Sequence, residues 1–200
     1  MIETTRNVAI FIFDDVEVLD FCGPFEVFSV TGKRDDLTPF NVYLVAEEKR
    51  PIIGRNNFSV NPHFTFSDCP APDILLIPGG FGTRREMNNL SAIEWIKSLA
   101  PQAELILSVC TGTLLLAKAG LLENLKATTH FRSLDLLAQI APQTTVLGNQ
   151  RFVDNGRIIT SAGISAGIDM SLHVVARLLG QDHAEETAKQ MEYDWRFAVS

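Results

Sequence analysis

The chain has 200 residues, of which 46% are hydrophobic and 20% are charged. These values are typical of a soluble globular protein, and the length suits one domain over residues 1–200. The net charge is −7 and basic residues are scattered, which disfavours nucleic acid and membrane surfaces as partners. Three widely spaced cysteines form neither a disulfide framework nor a zinc signature, and the first residues lack a signal peptide, so we expect a cytoplasmic protein.

Apolar segments that suit buried strands alternate along the chain with helical ones. Strands are predicted over 7–13, 40–46, 73–78, 104–107 and 127–130, with hairpins over 52–60 and 152–160. Helices are predicted over 24–30, 91–99, 113–119, 134–140 and 164–179, and from a capping Asp182 to about Tyr193. This order favours an α/β fold: a single-domain flavodoxin-like sandwich with a mostly parallel sheet and helices on both faces.

The segment Ser-Val-Cys-Thr-Gly at 108–112 joins an apolar strand to a helix. Cys110 is therefore predicted at a tight strand-to-helix turn, which is the geometry of a nucleophile elbow. Most free cysteines are small buried hydrophobes. Here the helix N-terminus beside the sulfur favours a thiolate, so we interpret Cys110 as a nucleophile, whereas Cys22 and Cys69 lack such a turn.

Polar residues and glycines follow several strands at the point where each strand ends. They are Asp14, Asp15, Glu17 and Asp20 after the first strand, Gly79, Gly80 and Gly82 after the strand at 73–78, Cys110 and Thr111 at the elbow, and His130. The carboxyl ends of parallel strands meet at one edge of a sheet, where ligands bind in open α/β folds. The sequence therefore predicts a site at this edge.

Two acids near the start of the chain allow more than one interpretation. Asp20 stands among apolar residues, either as a helix N-cap or as a buried acid with a raised pKa that exchanges protons with the thiol. Glu26 is either a buried acid near Cys110 or a solvated helix position.

The loop at 79–82 lacks the Lys and Ser of a P-loop and the spacing of a dinucleotide fingerprint. It is either a plain loop or an oxyanion hole, in which the N–H of Gly80 or Phe81 acts with the N–H of Thr111. His130 is either a partner of the cysteine or a structural histidine. No third and fourth ligand accompanies these residues, so we predict no metal centre.

Five segments of the chain, taken together, resemble the ThiJ/PfpI superfamily, whose domain is similar to class I glutamine amidotransferases. These segments are residues 19–28, 76–82, 108–112, 127–131 and 159–169. The resemblance extends from Val8 to about Tyr193. Within the superfamily the chain is most similar to isonitrile hydratases and to the amidase-like domains of AraC-type transcription regulators.

The resemblance implies that Cys110 is the nucleophile, that Asp20 is its acidic partner and that Thr111 lies beside the sulfur. It also implies a homodimer with its sites near the subunit interface. In isonitrile hydratases the cysteine attacks the terminal isonitrile carbon, and water hydrolyses the thioimidate to an N-substituted formamide. The expected protein is thus a hydratase of a small carbon–nitrogen substrate that needs no metal or organic cofactor, in which Asp20 transfers the protons.

Two positions depart from the patterns of the superfamily. Its peptidase and glyoxalase-type members carry His directly after the nucleophile, and Thr111 in that position argues against both activities. The isonitrile hydratases commonly have Trp after the position of His130, whereas this chain has Phe131, a replacement that would reshape the pocket. The alternative function is a thiol-based redox sensor or a ligand-binding regulatory protein, because thiolates at helix N-termini are prone to oxidation.

Overall fold

The computed structural model of the protein describes residues 4–195. The strands in this range are β1 (Arg6–Phe11), β2 (Phe40–Ala46), β3 (Ile52–Ile53), β4 (Ser59–Val60), β5 (Phe64–Thr65), β6 (Ile74–Ile77), β7 (Leu105–Val109), β8 (Lys126–Ala127), β9 (Thr145–Val146), β10 (Phe152–Asp154) and β11 (Ile158–Ser161). The helices are α1 (Val18–Val30), α2 (Thr83–Glu86), α3 (Leu90–Leu99), α4 (Gly112–Lys118), α5 (Leu134–Ile140), α6 (Ala166–Leu179) and α7 (Gln181–Gln190). Short 3₁₀ turns lie at Lys33–Asp35, Arg55–Asn57 and Phe131–Ser133.

A seven-stranded sheet has the order β10-β11-β7-β6-β1-β2-β5. Its neighbouring strands are parallel, except that β10 and β11 form an antiparallel hairpin at one edge. All four residues of β6 and all five of β7 are buried, as expected for strands that are covered on both faces. The predicted α/β fold with a mostly parallel sheet is confirmed.

The helices pack in two groups, which is the arrangement of a sheet between two helical layers. Helices α1, α6 and α7 contact one another, and α2, α3, α4 and α5 are likewise joined by mutual contacts. One continuous apolar cluster includes side chains from the sheet and from both groups. Among the helices between residues 4 and 195, none has both the length and the hydropathy that a membrane span requires.

The predicted starts of α1 and α7 are wrong. Helix α1 begins at Val18 rather than Pro24, so the proline lies inside the helix, where it leaves the Asp20 carbonyl without the usual N–H donor. The helix continues across it because Phe21, Val27 and Phe28 bury their side chains in the core. Helix α7 begins directly after Gly180, and its second residue, Asp182, does not cap it through a side-chain bond.

The strand predicted over 127–130 is also wrong in extent and in partner. Strand β8 ends at Ala127 and pairs with β9 in a separate two-stranded sheet. Beyond it, the Thr128 N–H donates to the Thr160 hydroxyl at 3.0 Å, and the Thr129 hydroxyl donates to the Cys110 carbonyl at 2.7 Å. Side-chain bonds, rather than a strand of the main sheet, therefore bring His130 towards the predicted site.

Candidate active site

Cys110 lies at the turn between β7 and α4, as predicted. Its φ of 58° is in the left-handed region, which costs free energy for a residue with a side chain. Its N–H donates to the carbonyls of Ser161 and Ala162 at 3.2 and 3.1 Å, and its carbonyl accepts the hydroxyl of Thr129. Bonds on both sides of the residue hold the strained backbone, and so they fix the position of the thiol.

Two glycines allow the elbow and the neighbouring loop to meet. A Cβ on Gly112 would lie 2.0 Å from the carbonyl oxygen of Ile77 at the end of β6. A Cβ on Gly79 would lie 2.5 Å from the Thr111 nitrogen and 2.8 Å from the Asp20 carboxylate. These distances are far inside van der Waals contact, so both positions require glycine.

Asp20 is fully buried in the first turn of α1, where Glu17 occupies the N-cap position, so the N-cap interpretation of Asp20 is wrong. Its Oδ2 accepts the Gly79 N–H at 2.9 Å, while Oδ1 has no hydrogen-bond partner among the described residues. A buried acceptor without a partner is unfavourable by about 1–3 kcal/mol, more when charged. Burial, with a contribution from the charge of Glu17, raises the pKa of Asp20 to about 7.

The Cys110 thiol is close enough to Asp20 for each group to shift the other's pKa. Only 6% of the cysteine is exposed, and burial together with the Asp20 charge raises the pKa of the thiol well above its ordinary value. The N–H groups of Thr111 and Ile164 oppose this rise. The helix N-terminus alone suggested a thiolate, but α4 has only seven residues and desolvation outweighs it. At neutral pH the pair is a thiol beside a partly ionised carboxyl group.

Ile164 is a site residue that the sequence analysis does not identify. It has a φ of 55°, which is an outlier for a β-branched side chain, and its N–H lowers the pKa of both Asp20 and Cys110. Because of this conformation the helix predicted from residue 164 begins instead at Ala166. An isoleucine at the start of an apolar helix pattern carries no sequence signal for such a role.

Thr111 braces the loop that follows β6. Its hydroxyl accepts the N–H of Gly80 at 3.0 Å and lies 3.1 Å from the Thr83 hydroxyl, which in turn donates to the Gly80 carbonyl at 2.7 Å. Thr83 is a second residue that the sequence analysis does not identify. In this arrangement the Gly80 N–H is engaged, so it can meet a developing anion only after Thr111 releases it.

The structure separates two other predicted candidates from the thiol. Glu26 is exposed on α1, which decides in favour of a solvated helix position. His130 accepts the Arg132 N–H through Nδ1 at 3.3 Å and contacts Phe131 in a tilted arrangement with ring centroids 4.6 Å apart. Within residues 4–195 no hydrogen bond joins His130 to Cys110, so the geometry favours a wall position over a proton-transfer partner.

The other two cysteines lie outside the elbow. Both Cys22 and Cys69 are half-buried and free, and burial raises the pKa of each thiol, that of Cys69 to about 11. Thiols with raised pKa values are poor nucleophiles without a neighbouring base. This agrees with the absence of an elbow turn at either position in the sequence.

A cavity of about 440 Å³ adjoins the elbow. Its wall includes Thr129, which bonds the Cys110 carbonyl, Ile164, and the pair His130 and Phe131. The predicted edge thus holds a buried thiol and carboxyl pair, N–H groups directed at the sulfur, and a cavity whose wall shares Thr129 and Ile164 with the elbow site.

The conserved pattern of the DJ-1/PfpI family matches residues 6–177. The chain belongs to the DJ-1/PfpI family. It is 35% identical over 187 residues to the isonitrile hydratase of Pseudomonas putida, across 94% of this chain and 78% of that protein. It is 28% identical to the HTH-type transcriptional regulator CdhR of Pseudomonas aeruginosa, across 82% of this chain but only 51% of the regulator, so it spans about half of that protein. The crystal structure of a ThiJ/PfpI family protein from Pseudomonas syringae matches with a TM-score of 0.86 at 30% identity, covering 98% of this chain and 78% of that one.

Membership of this family confirms the resemblance that the five sequence segments carry. The relatives of this DJ-1/PfpI protein include proteins named as an enzyme and as a regulator. Family membership alone therefore does not distinguish an enzyme from a regulator, and the function has to be argued from the chemistry of the site.

Proposed function

We propose that this protein is a cofactor-free, cysteine-dependent hydratase that converts a small isonitrile to an N-substituted formamide. The observation that carries the proposal is the Asp20 carboxyl group, which is buried beside Cys110 with a pKa of about 7 and has one oxygen with no hydrogen-bond partner among the described residues. A group that exchanges protons is most effective when its pKa is near the working pH. The identity of 35% to an isonitrile hydratase supports the substrate class.

In the proposed first half-reaction, the Asp20 carboxylate accepts the thiol proton and the sulfur of Cys110 attacks the terminal carbon of R–NC. A carbon–sulfur bond forms, and Asp20 delivers the proton to the same carbon. The product is the thioimidate R–N=CH–S–Cys. While the sulfur is anionic, the N–H groups of Thr111 and Ile164 stabilise it, which matches their effect on the thiol pKa.

In the second half-reaction, Asp20 accepts a proton from water as the water oxygen bonds to the thioimidate carbon. The substrate nitrogen takes up this proton from Asp20. The hydroxyl of the tetrahedral intermediate then gives its proton, through the Asp20 carboxylate, to the leaving sulfur as the carbon–sulfur bond breaks, which releases R–NH–CHO and regenerates the Cys110 thiol. The sum is addition of one water to R–NC. We propose the N–H groups of Phe81 and, after Thr111 turns away, Gly80 as donors to the oxygen that develops negative charge.

A redox-sensing role for Cys110 has less support. Sensor cysteines are accessible and have a low pKa, since the thiolate is the form that oxidants attack. Cys110 is 6% exposed, and burial raises its pKa. These properties favour a catalytic thiol, whose proton the neighbouring Asp20 accepts during turnover, over a redox sensor.

The experiment that tests the function is turnover of cyclohexyl isonitrile, with the N-cyclohexylformamide followed by NMR. We expect wild type to form it, Cys110→Ala to form none, and Cys22→Ala to retain activity, because Cys22 is a half-buried cysteine outside the elbow. A folded wild type with an intact thiol that produces no formamide would contradict the proposal. Equal rates in the two alanine variants would remove Cys110 from the mechanism.

We also propose that the protein acts as a homodimer in a reducing compartment such as the cytoplasm. The homodimer follows from the resemblance to the family, and the compartment from three cysteines that are all free. Light scattering at micromolar concentration tests the first part, and a monomeric mass would contradict it.

A further inference from the structure

Of the arginines that the structure describes, three form no ion pair with a carboxylate of residues 4–195. Within residues 4–195, Arg6, Arg34, Arg50, Arg85, Arg151 and Arg177 each pair with a carboxylate, and Arg157 donates to backbone carbonyls. The remaining described ones, Arg55, Arg84 and Arg132, have no carboxylate within 4.0 Å in that range. We call these three residues the arginine rim.

Each member of the arginine rim lies over an exposed aromatic ring. The guanidinium carbons of Arg55 and Arg84 are 5.2 and 5.4 Å from the ring centroid of Phe81, and that of Arg132 is 5.4 Å from the centroid of Phe131. The two phenylalanines are 66% and 68% exposed. Stacking of this kind orients a guanidinium group while it leaves the N–H donors of its edge free.

Both rings are directly attached to the site. Phe81 follows Gly80, whose N–H binds the Thr111 hydroxyl, and Phe131 follows His130 in the wall of the cavity beside the elbow. The Nη1 atom of Arg84 lies 3.5 Å from the Gly80 carbonyl oxygen. Burial lowers the pKa of His130, and the charges of Arg132 and Arg84 lower it further, so their field extends over this wall.

The carboxylate of Glu17 opposes this positive charge. It adds to the rise that burial causes in the pKa of Asp20 and partly offsets the fall that burial causes in the pKa of His130, so it acts on the same region. The three guanidinium groups outnumber Glu17 and the partly ionised Asp20, and Asp15 is itself paired with Arg85, so the mouth of the site has an excess of positive charge although the whole chain carries −7. A local potential that opposes the net charge concentrates ligands of the opposite sign at that point.

We propose that the substrate of this site carries a carboxylate, which the arginine rim binds, and an apolar part that lies against Phe81 and Phe131. Guanidinium groups bind carboxylates through two parallel N–H···O bonds, and this geometry suits a ligand that has its reactive end at Cys110 and its anionic end at the mouth. For the reacting end, the inference rests on the proposed function. An isonitrile with a carboxylate, such as 4-isocyanobenzoate, is then a better substrate than the neutral phenyl isonitrile.

The first test measures the charge preference without the proposed reaction. Cys110 is alkylated with anionic iodoacetate and with neutral iodoacetamide, and the ratio of the two rate constants is read from the Cys110 peptide by mass spectrometry. We expect the ratio, relative to that of free cysteine, to exceed one in wild type and to fall about three- to tenfold in Arg84→Gln and in Arg132→Gln. Addition of 0.5 M NaCl should lower it in wild type, because salt screens the rim.

The matched control is Arg34→Gln, which removes an exposed arginine from the turn that follows α1 and should leave the ratio unchanged. The second test compares kcat/KM for 4-isocyanobenzoate and phenyl isonitrile in the same four proteins.

A rim-dependent alkylation ratio with no turnover of either isonitrile would refute the hydratase function and support the anionic ligand. The same alkylation ratio in wild type and in the rim variants would overturn the inference, even with isonitrile turnover. So would rim variants that lose only the dimer mass in light scattering, because the rim would then contact a second copy.

Discussion

Two clefts at the carboxyl edge of the sheet differ in how fully their acidic side chains are paired by hydrogen bonds. The larger one, of about 520 Å³, holds Asp14, Arg50, Glu86 and Asn89, and we call it the Asp14 cleft. Its charged groups satisfy one another: Asp14 accepts two bonds from Arg50, at 3.2 and 2.7 Å, and Glu86 accepts one from Asn89 at 2.9 Å. In the elbow site, by contrast, one oxygen of Asp20 has no partner among the described residues.

The pKa values of the two acids express this difference. Hydrogen bonds from Arg50 hold the pKa of Asp14 below its ordinary value, although burial opposes them, whereas burial raises that of Asp20 to about 7. A carboxylate that is already paired by hydrogen bonds stays ionised and is a weak proton acceptor. A buried carboxyl group near neutrality can give and take a proton, so the size of a cleft is a poorer guide to chemistry than the unsatisfied groups within it.

The largest expected effect separates the two acids by activity. Asp20→Asn keeps the shape of the side chain but removes the proton acceptor, so we expect hydration of the isonitrile to fall by at least about 10²–10⁴-fold. Asp14→Asn, the matched substitution in the Asp14 cleft, should retain activity. Steady-state kinetics of both variants tests this, and near-wild-type rates in Asp20→Asn would refute the role of the acid.

The second effect is on stability and has an unusual sign. Because the folded pKa of Asp20 is about 7 and the unfolded one is about 3.9, the folded state binds the extra proton between these values. The contribution of Asp20 is therefore fully present below pH about 4 and is lost as the pH rises towards 7, by up to about 4 kcal/mol. Asp20→Asn has no carboxyl group to titrate at this position. The free energy of unfolding of the variant, relative to that of wild type, should therefore increase as the pH rises over that range. Denaturant titrations at pH 4.5 and 8 measure the change, and parallel pH dependences would contradict it.

A third prediction concerns the brace on the elbow. Thr129→Val removes the hydroxyl that binds the Cys110 carbonyl, so we expect about a tenfold lower kcat/KM and a stability loss of about 1 kcal/mol. Thr144→Val is the control, since the Thr144 hydroxyl makes an equivalent bond to the Leu122 carbonyl at 2.7 Å away from the site. It should lose similar stability and no activity. Equal activities of the two variants would show that the brace only contributes to folding.

The smallest expected effect is on the stability that Asp14 contributes, which has the opposite pH dependence to that of Asp20. The depressed pKa of Asp14 means that its pairing with Arg50 stabilises the fold above the unfolded pKa, near 3.9, and that this is lost as the pH falls through the folded pKa. The Asp14 side chain is 32% exposed, so solvent screening limits the loss in Asp14→Asn to less than about 1 kcal/mol at pH 7. Denaturant titrations should find the difference smaller at pH 3. A loss that grows towards pH 3 would reverse our assignment of the two acids.

Local patterns in the sequence were sufficient to predict the strands and turns that position the site. Apolar runs and turn residues predict the central strands, both hairpins and the elbow that carries Cys110. The rule that parallel strands end at one edge then brings Asp20, Gly79 and Thr111 together without any knowledge of contacts.

The remaining features depend on tertiary contacts that no local pattern encodes. Pro24 stays within α1 because the helix is buried, and Ile164 adopts its left-handed backbone although it is β-branched. The direction of the Cys110 pKa shift depends on burial and on a charge from another element, whereas the sequence indicates only the helix N-terminus. The braces Thr83 and Thr129 look like ordinary threonines until their partners are known.

The Gly79 N–H bond to Asp20 connects residues that are 59 positions apart, and the bond of Gly80 to Thr111 spans another 31. A fragment that lacks any one of these three segments therefore lacks part of the elbow site, because the carboxyl group, the loop and the thiol come from separate crossovers of the sheet. During refolding, the shifted titration of Asp20 can arise only after these distant segments have docked and expelled water. The titration of Asp20 therefore reports on the docking of segments that are far apart in the chain.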